Sequence, residues 1–238
     1  MNLEPLIAQL PPGLAHLLQA GDAVSVGTAL ALLLMSVLAW TLILARGWSL
    51  LRLRRARRLA QTVWSDTESV EDVRARFSRV SAGAPFLDLI EHGAEAGRWL
   101  RRHGGPVEGV GDPVAAALQQ GLNRAATRCE AGMTALASIG STAPFVGLLG
   151  TVWGIYHALG AIAAAGQAQI DRIAGPVGEA LIMTAFGLAV AIPAVLAYNA
   201  FTRSQRLLLA DLEAFGHALH ARLHGELRAP ERALQGAC

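Results

Sequence analysis

The chain of 238 residues contains no lysine; all 20 of its basic side chains are arginine. Charge is scarce, at 16% of residues against 53% hydrophobic, and the scarcity is concentrated rather than spread. Three runs carry no Asp, Glu, Lys or Arg at all: Ala23–Ala45, Ala131–Ile170 and Ala180–Thr202. A water-soluble domain can reach this apolar content, but it does not gather it into such runs. Cysteine is almost absent. Cys129 and Cys238 stand without metal-ligand spacing, which excludes a disulfide framework and leaves both thiols structurally incidental. No alternating strand pattern appears, nor a glycine-rich phosphate loop. Ser138, Ser141 and the histidines form no nucleophile–base motif, and the six histidines outside the apolar runs show no ligand spacing. Catalysis on a bound substrate is therefore unsupported, and no cofactor or metal is expected.

What is present is membrane-spanning length. The first and third runs hold 23 residues each, and a helix needs about 20 residues at 1.5 Å each to cross the hydrocarbon layer. The second run as one helix would reach about 60 Å, roughly twice that layer. It holds one span together with an extension, a turn, or the approach to the third span. The expected fold class is an all-α integral membrane protein with three transmembrane helices. The first run is not read as a cleavable signal peptide, because Glu4 and Asp22 precede it and no basic residue does.

Arginine placement sets the expected orientation. Arg46, Arg52, Arg54, Arg55, Arg57 and Arg58 crowd behind the first span, and Arg203 and Arg206 follow the third, while Arg172 alone lies between the second and third. Positive charge stays inside, so the N-terminus and the short hairpin are expected outside and the rest within. At a membrane exit such a cluster reads as a topological anchor rather than a nucleic-acid patch.

Helical periodicity continues beyond the spans. Leu14, Leu17 and Leu18 suit a short interfacial helix, and Trp40 and Trp48 bracket the inner end of the first span. Val63, Val70, Val73, Phe77 and Val80 follow helical spacing, with Ser65-Asp66 as N-cap and Glu68 completing the cap. Gly104-Gly105-Pro106 breaks the insert, and Asp112-Pro113 starts the helix leading into the second span. Leu208, Leu212, Phe215, Leu219 and Leu223 extend the third span as an amphipathic helix.

Inside the spans, Gly140, Gly147, Gly154 and Ala161 recur every seven residues, with Gly150 and Gly154 as a further small pair. Ala180, Thr184, Gly187, Ala191 and Ala194 line one face of the third span. Small faces let membrane helices approach closely, and these are expected to pack a homo-oligomer. Thr184 lies on one stripe and Thr151 one turn from the other; each hydroxyl either bonds its own backbone or belongs to a shared polar path. Pro144 and Pro193 remove the donors to the Gly140 and Ala189 carbonyls, by default as packing kinks. His157 reads as an interhelical hydrogen-bonder or, less simply, a proton relay. Glu179 heads the third run. A carboxylate at a helix centre in the apolar layer costs about 2.5–3.5 kcal/mol, so Glu179 is either an ion or proton site or a marker of the membrane boundary.

GLLGTVWGI at Gly147–Ile155 and GEALIMTAFGLAVAIPAVLAYN at Gly178–Asn199 resemble the second-span and third-span signatures of the ExbB/TolQ/MotA proton-channel family, and within it the ExbB branch most closely. The resemblance implies a multi-pass subunit of the bacterial inner membrane, pentameric around a pore that holds helices of an ExbD-like single-span partner. Such a complex couples the proton gradient to a TonB-like transducer for outer-membrane import. It implies polar channel positions at Thr151, Thr184 and Glu179, with helix packing at Gly140, Gly147, Gly154, Gly187 and Ala191, no cofactor beyond the transported proton, and no nucleic acid as partner. The expected organisation is a periplasmic segment over 1–22, spans over 23–45, 131–165 (with a cytoplasmic extension) and 176–202, a cytoplasmic helical insert over 46–130, a periplasmic hairpin over 166–175 and a cytoplasmic helical tail over 203–238. Gly175-Pro176-Val177-Gly178 departs from the family's usual Pro-Gly and Ile-Ala before the glutamate. On a straight helix Glu179 and Thr184 stand roughly 140° apart, so their place on one path is implied by the resemblance alone. A TolQ-like role in envelope integrity is the near alternative. A MotA-like role needs four spans, and a structural membrane scaffold would account for the glycines but not for Glu179 and the threonines.

Overall fold

Forty residues of α1, Ala23–Thr62, make a helix about 60 Å long, so it outruns its apolar stretch and carries the arginine cluster onward. In the computed structural model residues 23–64, 69–80, 82–103, 112–165 and 170–235 are described, and all the elements they form are helices. After α1 come α2 (Val70–Ser78), α3 (Ala84–Arg102), α4 (Pro113–Glu130), α5 (Met133–Ala165) and α6 (Ile170–Gln235). Three stretches, in α1, in α5 and in α6, are long and apolar enough to cross a membrane.

The chain divides into two compact units. One comprises the chain up to Leu44 and Gly132–Asn199, the apolar spans; the other comprises Ala45–Ala131 and everything from Ala200 onward. The second unit has a core of its own, built where α1 ends, around α2–α4 and along the later part of α6. Phe77, Phe86 and Phe215 meet at its centre, stacked at 5.0 Å between Phe77 and Phe86 and edge-on at 5.4 Å to Phe215. Leu208, Leu212, Phe215, Leu219 and Leu223 are all buried, so the amphipathic face read along the tail is the face that packs. Arg57 of α1 pairs with Asp211 of α6, and Gln61 donates to the same carboxylate at 3.2 Å.

Local signals explain most helix ends. Ser69 caps α2: its hydroxyl accepts from the Asp72 amide, and the Asp72 carboxylate accepts from the Ser69 amide. The cap expected at Ser65-Asp66 falls one turn early; residues 65–68 lie outside the described residues, as do 1–22 with their interfacial leucines. Val63 closes α1 rather than joining α2. Asp112 caps α4, its Oδ1 accepting from the Val114 amide at 2.9 Å, and Pro113 occupies the first turn, where no donor is needed. Burial raises the Asp112 pKa, but hydrogen bonds from His220, His224 and the backbone outweigh it and bring it down to about 2.

Two boundaries differ from the sequence reading. Helix α4 does not run into the second span: it stops at Glu130, and Gly132, at φ +76°, turns the chain before α5 begins at Met133. That left-handed backbone suits glycine and strains other residues. The hairpin is also shorter than 166–175, since α6 already begins at Ile170. Asp171 in its first turn complements the helix dipole, and Pro176 falls where a single bond is lost.

The break after α4 leaves its last carbonyls unpaired within the helix, and side chains cover them. Arg46 donates to the carbonyls of Cys129 at 3.0 Å, Arg128 at 3.4 Å and Ala131, and Gln205 donates to that of Cys129. A cation here also suits the negative end of the α4 dipole. Arg46 is thus a helix cap as well as a charge at the membrane exit, and burial pushes the neighbouring Cys129 thiol up in pKa, which keeps it inert. Charge-assisted bonds of this kind contribute about 1.5–3 kcal/mol. Arg46→Met is expected to lower the melting temperature of the purified chain in detergent, whereas Arg54→Met, on the exposed side of α1, is expected to leave it unchanged.

Candidate functional site

The second and third spans touch through bare backbone. A Cβ on Gly147 would lie 2.6 Å from the Met183 carbonyl oxygen and 3.2 Å from the Cα atoms of Gly187 and Thr184. A Cβ on Gly187 would lie 2.7 Å from the Ala143 carbonyl oxygen. Neither obstacle is a side chain that can swing aside. Above and below, Gly154 meets Ala180 at 2.9 Å and Gly140 meets Val195 at 2.6 Å, measured from the same added atom. Ala143, Ala180, Ala191 and Ala194 are buried along this seam. The stripes expected to pack one subunit on another therefore pack α5 on α6 within one chain. A glycine stripe specifies close approach but not whose helix approaches. The faces left exposed are large and apolar instead, with Leu148, Leu149, Val152 and Tyr156 on α5 and Leu181, Ile182, Phe186 and Leu188 on α6.

That approach brings the two threonines together. Thr151 is buried, at 4% exposure, and its hydroxyl donates to the Leu148 carbonyl at 2.7 Å. Thr184 donates to the Thr151 hydroxyl oxygen at 3.3 Å. Of the two readings open for these hydroxyls, Thr151 satisfies both: it bonds its own backbone and accepts across the helix pair. Each hydroxyl oxygen can accept twice while donating once. Thr184, only half-buried, has acceptor capacity to offer a water or an acid from outside the pair.

Sequence reasoning missed Thr28 on α1. It is buried at 6% exposure, donates to the Ser25 carbonyl at 2.9 Å, and stands 3.1 Å from where a Gly150 Cβ would be. A third hydroxyl thus lies against the residue preceding Thr151. The signal was one polar side chain amid the aliphatics of the first run, which spacing alone could not connect to the second.

Glu179 lies on α6 beside Ala180, and its side chain is outside the described residues. By helical register it falls between Met183, which is buried, and Ile182 and Phe186, which are exposed. His157 is exposed, with its Nδ1 at 3.3 Å from the Trp153 carbonyl and its ring against Trp153 and Tyr156; the structure does not bring it to the threonines. Chemically, a pair of hydroxyls can orient water or a carboxylic acid but cannot take up charge near neutrality. The histidines bring a further correction. His220 and His224, read as lacking ligand spacing, sit four apart on α6 and both reach Asp112.

Fold and site together define a three-span helical membrane protein with hydroxyls buried at a glycine-mediated helix contact. The model of the MotA/TolQ/ExbB proton channel family matches residues 106–214. A biopolymer transport protein ExbB of Neisseria meningitidis serogroup A is 42% identical over 209 residues, covering 86% of this chain and 94% of its own. One from Xanthomonas campestris is 40% identical over 233 residues, covering 92% and 87%. The Tol-Pal system protein TolQ of Pseudomonas aeruginosa is 33% identical over 197 residues, covering 82% and 85%. The chain belongs to the MotA/TolQ/ExbB proton channel family and is a multi-pass protein of the inner membrane.

Overpacking a tight core costs about 1–3 kcal/mol, and more when backbone must move. Gly147→Leu and Gly187→Leu are expected to lower the melting temperature of the protein in detergent sharply. Gly160→Leu, which meets nothing within 4 Å on the same helix as Gly147, is expected to be silent in the same assay.

Proposed function

We propose that this chain is an ExbB-like proton-channel and stator subunit that couples the proton motive force to a TonB-like transducer for import across the outer membrane. The observation that carries this reading is the Thr184–Thr151 hydrogen bond at a helix contact too close for any side chain. It supports a polar route through an otherwise apolar pair of spans. The greater identity to proteins named ExbB than to TolQ favours import over envelope maintenance.

In this reading the N-terminus and the turn between α5 and α6 face the periplasm. The arginine distribution supports that side for them. The folding of the insert and tail into one unit supports their sharing the other side. The exposed apolar faces of α5 and α6 meet neighbouring copies, which form a pentamer around ExbD-like single-span helices. A proton crossing gains about 2.3 kcal/mol per 100 mV. Its conversion into work needs a group that changes charge. Burial raises a carboxylic acid's pKa toward neutrality, which suits Glu179 at the edge of the route and an acid on the partner helix. Thr151 and Thr184 orient that acid or its water.

The roles are unequal, and this is testable. Thr184→Val and Glu179→Gln are expected to abolish transducer-dependent uptake in cells while the oligomer seen by native mass spectrometry stays intact. Thr151→Ser, which keeps the acceptor, is expected to retain uptake, and Thr151→Val to weaken it. Full uptake by Glu179→Gln would reduce Glu179 to a boundary marker, and restoration of envelope integrity rather than uptake would favour the TolQ-like role.

A further inference from the structure

Three ligand-type side chains converge in the second compact unit, away from the spans. Asp112 caps α4 with Oδ1, which leaves Oδ2 directed elsewhere. His220 and His224, four residues apart, present their rings on one face of α6 with centroids 4.4 Å apart. Nε2 of both rings reaches Asp112 Oδ2, at 2.9 Å for His224. All three ligand atoms lie within 4.8 Å of one another. The side chains are between 30 and 36% exposed, so an ion can enter from solvent.

We infer that Asp112, His220 and His224 form a binding site for a divalent transition metal of the zinc class. Two imidazole nitrogens and one carboxylate oxygen make a borderline donor set, suited to zinc, cobalt or nickel, whereas calcium and magnesium favour oxygen-only surroundings. Bonds of about 2.0–2.2 Å to a tetrahedral ion place ligand atoms about 3.3 Å apart, within reach of small rotations here. Without an ion, each ring donates Nε2–H to the carboxylate. On binding, each neutral imidazole moves its proton to Nδ1 and turns the Nε2 lone pair to the metal, with no net proton release. Three protein ligands leave a fourth position for water. His217, three residues before His220, and Glu213 line the adjoining groove as the nearest further donors. The ion fastens the start of α4 to the later part of α6, stabilising the unit in proportion to its occupancy.

The test uses the full-length chain in detergent, untagged and stripped with a chelator, titrated with Zn²⁺ by calorimetry and with Co²⁺ by visible absorption. One ion per chain is expected. His220→Gln and His224→Gln should each weaken binding at least about tenfold, as changes merely supporting a ligand already do; His157→Gln should bind as the unaltered chain does. Asp112→Asn keeps a competent helix cap, so its expected loss of affinity is not a loss of folding, which circular dichroism checks. Equal binding by the unaltered chain and the His220→Gln/His224→Gln double variant would overturn the site. So would undiminished binding by Asp112→Asn, or equal competition by Ca²⁺.

Discussion

Everything in the membrane half of this protein depends on one close approach, that of α5 and α6 at Gly147 and Gly187. Lipid offers no hydrophobic gain for bringing two apolar helices together, so association rests on packing and on interhelical hydrogen bonds. Removing both side chains brings backbone against backbone at 3.2 Å for an added atom. It is that proximity which lets a threonine on each helix, both short side chains, share a hydrogen bond. With alanine or larger residues at the contact the hydroxyls would separate, and each would fall back on its own backbone. The glycines thus set the distance, and the threonines supply the polarity.

The water-facing unit follows a different logic. Its core is ordinary aromatic and aliphatic burial around Phe77, Phe86 and Phe215, but its helix ends are governed by charge. Arg46 and Gln205 cover the carbonyls at the end of α4, and Asp112 covers the amides at its start. The same helix is therefore tied at both ends to side chains from α1 and α6. Arginine rather than lysine suits the first task, because a planar fork serves several carbonyls at once.

Much of this was legible in the sequence, and the reasons are specific. Charge-free runs expose spans directly, since a bilayer penalises every stray charge. The tail's leucines and Phe215 announce their buried face because their spacing is local to one helix. The start of α4 was readable from Asp112-Pro113 for the same reason. What escaped depends on contacts between distant segments. Gly132 looked like one more small residue in an apolar run until its positive φ showed a turn. The glycine stripes were read as facing another subunit because a stripe records closeness without naming the neighbour. Thr28 with Gly150, and Asp112 with His220 and His224, join residues more than a hundred positions apart, and no periodicity within a helix connects such partners.

The central claim is that the glycine seam lies inside one chain and holds the second span to the third. Gly154 and Ala180 test it most directly, because their Cβ positions are 2.9 Å apart, a few tenths of an ångström from what a disulfide takes. With Cys129 and Cys238 replaced by serine, Gly154→Cys/Ala180→Cys would be oxidised in membranes and run without reductant. The account predicts a bond closed within each chain, seen as a monomer whose two cysteines resist alkylation until reduced. A ladder of disulfide-linked dimers and higher species, with no internally closed monomer, would place the seam between subunits and contradict it.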